Sequence, residues 1–301
     1  MLRLFKYRRL KQQYPGREDY LDMGFGIEAR YSRCRKYWRP HLNLSRLFVN
    51  SLIEVPGGSS LAVLGAGRLY DIDLKELSKK FKKIALYDCD PGVMPYWKKA
   101  KRVIAPGCQL DFHLAELTGS IDRWSDKLSD FLGRNPAADL KILGDFLLSL
   151  ECGAAVELFG FDAAVSLNLL SQIPIYWRDR VNNLFEKYLD LYVDDNGCYE
   201  PALQAALEES MARLQSQHIE ILNGSGFSRV VLIYDKAFLY YQQDKSLWQE
   251  ERAVFCNSTS LSNYHPVLES SWFWHIAPQG VEQPDYGVIH DVTATHYAVK
   301  E

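Results

Sequence analysis

From residue 59 onward the chain alternates short apolar runs with stretches of helical periodicity, and this alternation constrains the fold more than any other feature. SSLAVLGAG at 59–67 reads as a buried strand entering a tight turn. Ile72, Leu74, Leu77 and Phe81 mark a helix after it, and KIALYD supplies a second strand centred on 84–88. Pro91-Gly92 and a short helix toward Lys101 follow, then a third strand over 109–114. Two helical stripes come next, Ile121 to Leu132 and Leu140 to Leu150, with Asn135-Pro136 read as the N-cap and first position of the second. Residues 163–169 form a fourth strand and 230–234 a fifth, separated by helical patterns from Trp177 and from Leu203. The chain ends in two strands, 271–277 and 287–299, joined by a loop with Pro278, Gly280 and Pro284. The expectation is a three-layer α/β sandwich: a mostly parallel, seven-stranded sheet closed by an antiparallel C-terminal hairpin.

The first 56 residues have a different character. Leu44, Leu47, Phe48, Leu52 and Val55 follow helical spacing, and Pro56-Gly57-Gly58 ends the segment. The expected division is a basic helical N-terminal cap over 1–56 and a main domain with helical insertions over 57–301. Residues 1–46 carry 12 Lys and Arg against 4 Asp and Glu, whereas the whole chain has a formal net charge of −3. Six scattered cysteines without a CxxC pair argue against a disulfide framework and for a reducing compartment. MLRLFKYRRLKQQ interrupts any signal-peptide apolar run, and Asp145, Glu151, Glu157 and Asp162 break the longest apolar region. A cytoplasmic protein without a membrane span is expected.

In an open α/β sheet the ligand sits beyond the carboxyl ends of the strands. The first such end reads Leu64-Gly65-Ala66-Gly67-Arg68-Leu69-Tyr70-Asp71, and the second closes with Asp88, 21 residues beyond Gly67. Glycines at a turn let backbone approach a ligand, and a carboxylate at that distance accepts hydrogen bonds from ribose hydroxyls. The pair points to an adenosine-containing cofactor. Tyr70 stands where a dinucleotide fingerprint needs a small third residue, and Asp71 and Asp73 oppose a pyrophosphate. A sulfonium cofactor without phosphates suits an acidic turn better.

VLGAGRLYDIDLKELSKKFKKIALYDCDP resembles motifs I and II of the class I, Rossmann-like S-adenosylmethionine-dependent methyltransferases. LDFHLAELTG and DAAVSLNLLSQIP resemble the family's third- and fourth-strand regions. The resemblance implies S-adenosylmethionine (SAM) as cofactor. It assigns Gly65, Ala66 and Gly67 to the methionine moiety, Asp88 to the ribose, the region of Glu116 to the adenine, and Asn168 to the reaction face, with Cys89 also among the cofactor-binding residues. Val63 stands where the family usually has an acid and Leu69 where it has a third glycine; Asp71 is the candidate replacement for the missing carboxylate. A SAM- or nucleotide-binding protein without catalysis is the alternative, followed by an NAD(P)-linked oxidoreductase.

Methyl transfer from a sulfonium needs in-line alignment, and a base only where the acceptor must shed a proton. No NPPY-type tetrapeptide follows the fourth strand; the place reads Asn168-Leu169-Leu170-Ser171. The catalytic candidates are Asn168, His41 and His265, the last on a Tyr264-His265-Pro266 loop read as able to reach the cleft. Histidines 290 and 296 share a strand face without metal-ligand spacing, and no metal is expected. The acceptor is read as a small or medium-sized molecule. Arg30, Arg33, Arg35, Lys36 and Arg39, interleaved with Tyr31, Tyr37 and Trp38, leave an anionic acceptor or RNA open, against packing of the rings on the acidic main domain.

Overall fold

Side chains of the first strand alternate between two cores, which is what places helices on both sides of the sheet. Leu61 and Val63 join one buried cluster; Ala62 and Leu64 join the other. In the computed structural model, which describes residues 2–51, 59–191, 193–194, 197–242 and 246–300, these residues form β1 (Ser60–Leu64). It is preceded by α1 (Leu2–Gln13) and α2 (Glu18–Asn50) and followed by α3 (Leu74–Lys80) and β2 (Lys83–Asp88). A 3-10 turn at Pro91–Val93 leads into α4 (Met94–Ala100), then β3 (Gln109–Leu114), α5 (Ile121–Arg134) and α6 (Leu140–Ser149). The chain continues through β4 (Ala163–Leu167), α7 (Leu169–Leu189) and α8 (Pro201–Gly224). It closes with β5 (Arg229–Tyr241), β6 (Leu247–Arg252), β7 (Tyr264–Ala277) and β8 (Gly287–Val299).

The strands run in the order β3-β2-β1-β4-β5-β8-β7, with β6 paired to β5 off this path. The first five are parallel, and β8 is antiparallel to both β5 and β7. This is the expected Rossmann-like sandwich with its antiparallel hairpin, except that the sheet has eight strands, not seven. One layer holds α2, α3 and α4: Trp38, Leu42, Leu74, Leu77 and Trp97 pack on the Leu61/Val63 face. The second holds α8 against the Ala62/Leu64 face and, beyond it, a cluster uniting α5, α6, α7 and α8 around Trp124 and Trp177.

Several local expectations shift. The extra strand β6 sits on an extension of β5, which continues to Tyr241 rather than ending at residue 234. Likewise β7 begins at Tyr264, seven residues before the expected start. Asn135 caps the C-terminus of α5, and Asp139 is the N-cap of α6, its carboxylate accepting from Ile142 N at 2.8 Å. Aspartate provides the N-cap oxygen there, so the Asn135-Pro136 reading gives way. Leu52, Val55, Pro56-Gly57-Gly58 and the boundary at 56/57 lie outside the described residues. Among the described residues no helix is long and apolar enough to cross a membrane.

Candidate functional site

The turn after β1 is built for close approach. Gly65 and Gly67 have φ of +70° and +50°, and a Cβ on Gly65 would lie 2.7 Å from the Leu167 carbonyl oxygen. Leu69, at the position of the family's third glycine, keeps the left-handed backbone with φ +63°. A non-glycine residue accepts that conformation at about 1–2 kcal/mol. Ala66 N donates to Tyr87 O (3.0 Å), tying the turn to the end of β2, and Trp97 Nε1 donates to Gly67 O (2.8 Å).

Asp88, at the tip of β2, accepts from Gly67 N on Oδ2 (2.8 Å) and from Asp90 N on Oδ1 (2.9 Å). Two lone pairs are thereby used and the carboxylate still borders the cleft. Burial raises its pKa, with the two N–H donors pulling the other way. Burial also pushes Asp90 up to about 7, against the opposing pull of Arg68, whose Nη1 lies 3.1 Å from Asp90 Oδ2. Cys89 borders the cleft between these acids, and burial holds its thiol protonated.

Together with residues 115–117 after β3, and with α2 and α7, these groups enclose a cleft of about 1150 Å³, mouth included. It lies over the carboxyl ends of β1, β2 and β4. Gly65, Gly67, Asp71, Asp88, Cys89, Glu116 and Asn168 all line it, so seven of the eight residues read as cofactor-binding converge. Ala66 is buried in the core beneath the turn. Glu116 has a second occupation. Its carboxylate accepts from Thr118 N and Oγ1, Ser120 N and Ile121 N at 2.8–3.1 Å, capping α5. Asn168 adopts φ +57° between β4 and α7, donates its own N–H to Ile233 O, and leaves a buried Oδ1 with no partner among the described residues.

The catalytic candidates separate. His41 is fully buried and does not line the cleft. Trp272 Nε1 donates to its Nδ1 (2.9 Å), so Nε2 carries the proton and donates to Asp71 Oδ1 (3.0 Å). Its ring stacks on Trp274 at 4.1 Å. Both nitrogens are committed, and Asp71 is tied to this pair. His265 is exposed near the start of β7, opposite Ala298, at the edge of the sheet away from the cleft. The loop expected to reach the site is instead a strand at the other end. His290 Nδ1 lies 3.1 Å from Asp235 Oδ2, and among the described residues no cluster able to hold a metal occurs.

Residues of α2 roof the cleft. Tyr20, Gly24, Ile27 and Trp38 of α2 line it. A methyl group at Gly24 would overlap the Asp90 carboxylate, so the roof sits as low as backbone permits. Arg30 and Arg33 pair with Glu282, while Arg35, Lys36 and Arg39 point to solvent. Four contributors have no signature in the sequence: Arg68, Tyr20, Tyr176 and Trp274. Arg68, 4% exposed at its side chain, lies between Asp90 and Glu28 and is the one cation in the lining among the described residues. Its position directly after Gly67 was the only available hint. The Tyr20 hydroxyl donates to Asp122 (2.7 Å), its ring lies 5.7 Å from that of Tyr176, and burial keeps both phenols protonated.

The strand order is that of a Rossmann-like parallel sheet closed by an antiparallel hairpin. No family model and no curated protein matches the chain. Among solved structures it is similar to an rRNA methylase from Streptococcus thermophilus, at 11% identity over 86% of this chain and 97% of that one, TM-score 0.35. It is also similar to TrmK from M. capricolum in complex with S-adenosyl-homocysteine, at 11% identity over 87% and 68%, TM-score 0.32. A third is the glycopeptide N-methyltransferase MtfA, at 10% identity over 86% and 90%, TM-score 0.33.

Proposed function

We propose that the cleft binds SAM and that the protein transfers its methyl group to a small acceptor. The observation that carries this is the charge of the cleft: Asp71, Asp88, Asp90 and Glu116 face one arginine across a glycine turn that admits backbone-close contact. A pyrophosphate would meet four carboxyl groups there; a sulfonium and an ammonium meet them favourably. The residues fit the cofactor, with the buried, unpaired Asn168 Oδ1 at the cleft as the supporting observation.

In this reading Asp88 accepts the ribose hydroxyls on the lone pairs that Gly67 and Asp90 leave unused. Gly65 and Gly67 admit the methionine portion, with Ala66 packing the turn from beneath. Asp71 sits near the amino group, and Arg68, whose Nη1 and Nη2 lie against Asp90 and Glu28, offers Nε to the carboxylate. Glu116 and Cys89 border the nucleoside. Bound there, SAM supplies an electrophilic methyl carbon and a neutral sulfide leaving group. The chain holds the acceptor's lone pair in line with that carbon and keeps water away. Burial keeps Tyr20, Tyr176 and Cys89 protonated, and Asp90 is engaged by Gly92 N and Arg68, so an acceptor with a lone pair at neutral pH asks least of the site.

Calorimetric titration with SAM, S-adenosylhomocysteine (SAH) and NAD in parallel tests the cofactor. Binding of SAM and SAH but not NAD is expected; NAD binding without SAM would revive the oxidoreductase. SAM binding without methyl transfer to any acceptor, small molecule or RNA, would favour the non-catalytic alternative.

A further inference from the structure

The strands β1, β2 and β4 stop at Leu64, Asp88 and Leu167, but β5 and its antiparallel neighbours do not. Ile233 is level with Leu167; β5 then runs eight residues further, and β7 and β8 rise beside it. Trp274 pairs with His290, which pairs with Phe238, five residues beyond Ile233. At roughly 3.3 Å per residue that is about 16 Å past the sheet's edge. Register shifts at Asp235/Ala237 and His275/Ala277 bend this overhang. It curls back, so that Trp274 and Ile276 line the same cleft as Asp88 on the other side.

The overhang meets α2 and α7 in an aromatic chamber of Trp38, Trp274, Ile27, Ile276, Ile173 and Tyr176. Trp38 Nε1 donates to Ile276 O (2.8 Å) and its ring meets Trp274 edge-on at 4.8 Å. His41 stacks on one side of Trp274, and His290 stands edge-on at 5.1 Å. Trp274 is 7% exposed, yet its Nε1 finds no acceptor among the described residues. The neighbouring charges are engaged: Asp71 with His41, Arg30 and Arg33 with Glu282, Arg68 with Asp90 and Glu28.

Resting on the cofactor reading above, we infer that this chamber is the acceptor subsite and that it takes a small, flat, uncharged aromatic molecule offering a carbonyl or ring-nitrogen lone pair to Trp274 Nε1. The indoles of Trp38 and Trp274 and the phenol ring of Tyr176 in the lining favour an aromatic guest. A cationic guest would be repelled by the sulfonium, and an anionic one finds no unengaged cation. A buried indole N–H costs free energy unless a guest supplies the acceptor. The roof of α2 excludes a folded RNA.

The test is calorimetric titration of 4-quinolone and coumarin into SAH-saturated protein, with unfractionated tRNA as the contrasting probe. Both aromatic probes are expected to bind and tRNA not to compete. Trp274→Phe, which keeps a ring but removes the N–H, is expected to weaken both by about three- to tenfold, the loss of one neutral hydrogen bond, with SAH affinity unchanged. Should that variant fold poorly, Ile27→Trp, which fills the chamber from the roof, is expected to abolish probe binding and spare SAH. Absence of aromatic binding, unchanged affinity in Trp274→Phe, or displacement by tRNA overturns the inference. Absence of SAH binding to the wild type overturns the cofactor reading instead, and the same titrations without SAH then still decide the chamber.

Discussion

Asp88 does two things at once, which sets what its replacement costs. Its oxygens hold Gly67 N and Asp90 N, so removing the carboxylate loosens the glycine turn as well as any bond to a ribose. Asp88→Ala is expected to weaken SAM binding by about 1–3 kcal/mol, measured by calorimetry on a variant whose far-UV dichroism is native. Unchanged affinity would remove Asp88 from the cofactor contacts. Asp90 controls a pH effect of the opposite sign from ordinary acid denaturation. Burial raises its pKa to about 7 from 3.8. The folded protein therefore binds this proton more tightly than the unfolded chain. Its contribution to stability is fully present below about pH 4 and is lost as pH rises to about 7. Asp88 and Glu116, raised by burial as well, act in the same direction. Urea midpoints are expected to fall from pH 5 to pH 7.5, with a smaller fall in Asp90→Asn. A flat or rising midpoint in the wild type would contradict the buried-acid account.

At the scale of elements, α2 is the part that must fit most closely. Gly24 touches Asp90, Glu28 reaches Lys6 and Arg68, and Arg180 pairs with Asp19 at the helix start. Gly24→Ala must displace either the helix or the Asp90 side chain. A cost of about 1–3 kcal/mol is expected from overpacking, seen as a lower thermal midpoint and faster amide exchange confined to α2. Unchanged exchange there would mean that the roof has slack. The parallel half of the sheet was legible because β1, β2 and β4 are buried on both faces and read as unbroken apolar runs. The overhang was not. Lys236 interrupts β5 beyond Tyr234, and β7 carries exposed residues from His265 to Ser271, so neither shows the apolar run of a core strand. For β6 the pattern is exposed nearly throughout, and only its pairing with β5 defines it. The same logic divides the site. Gly65, Gly67 and Asp88 fall at a spacing that a sequence displays, whereas Tyr20, Tyr176 and Trp274 meet across separations that only tertiary packing closes.

The whole molecule is polarised in charge, and the fold turns an uneven sequence into two unlike faces. Residues 2–50 and 74–102, which carry α1 to α4, hold 21 Lys and Arg against 7 Asp and Glu. The rest of the chain, including α5 to α8, holds 14 against 31. Because α2, α3 and α4 share one side of the sheet and α5 to α8 the other, the segregation is spatial. Arg8, Arg9, Lys11, Lys98, Lys99, Lys101 and Arg102 are all exposed, and no acid occurs between Met94 and Leu110. Fields of this kind act over a Debye length of about 10 Å at 0.1 M salt, so a facing surface feels the local face more than the net charge. A protein of formal charge −3 and pI near 6.2 would ordinarily pass through a cation exchanger at pH 7.5. This one is expected to be retained at 20 mM salt and released well below 0.5 M. Reversing Lys98, Lys99, Lys101 and Arg102 to glutamate should abolish retention while leaving SAH binding intact, because none of the four lines the cleft. Flow-through of the wild type would mean that the acidic layer screens its own opposite face, and that the polarity of the fold stays invisible from outside.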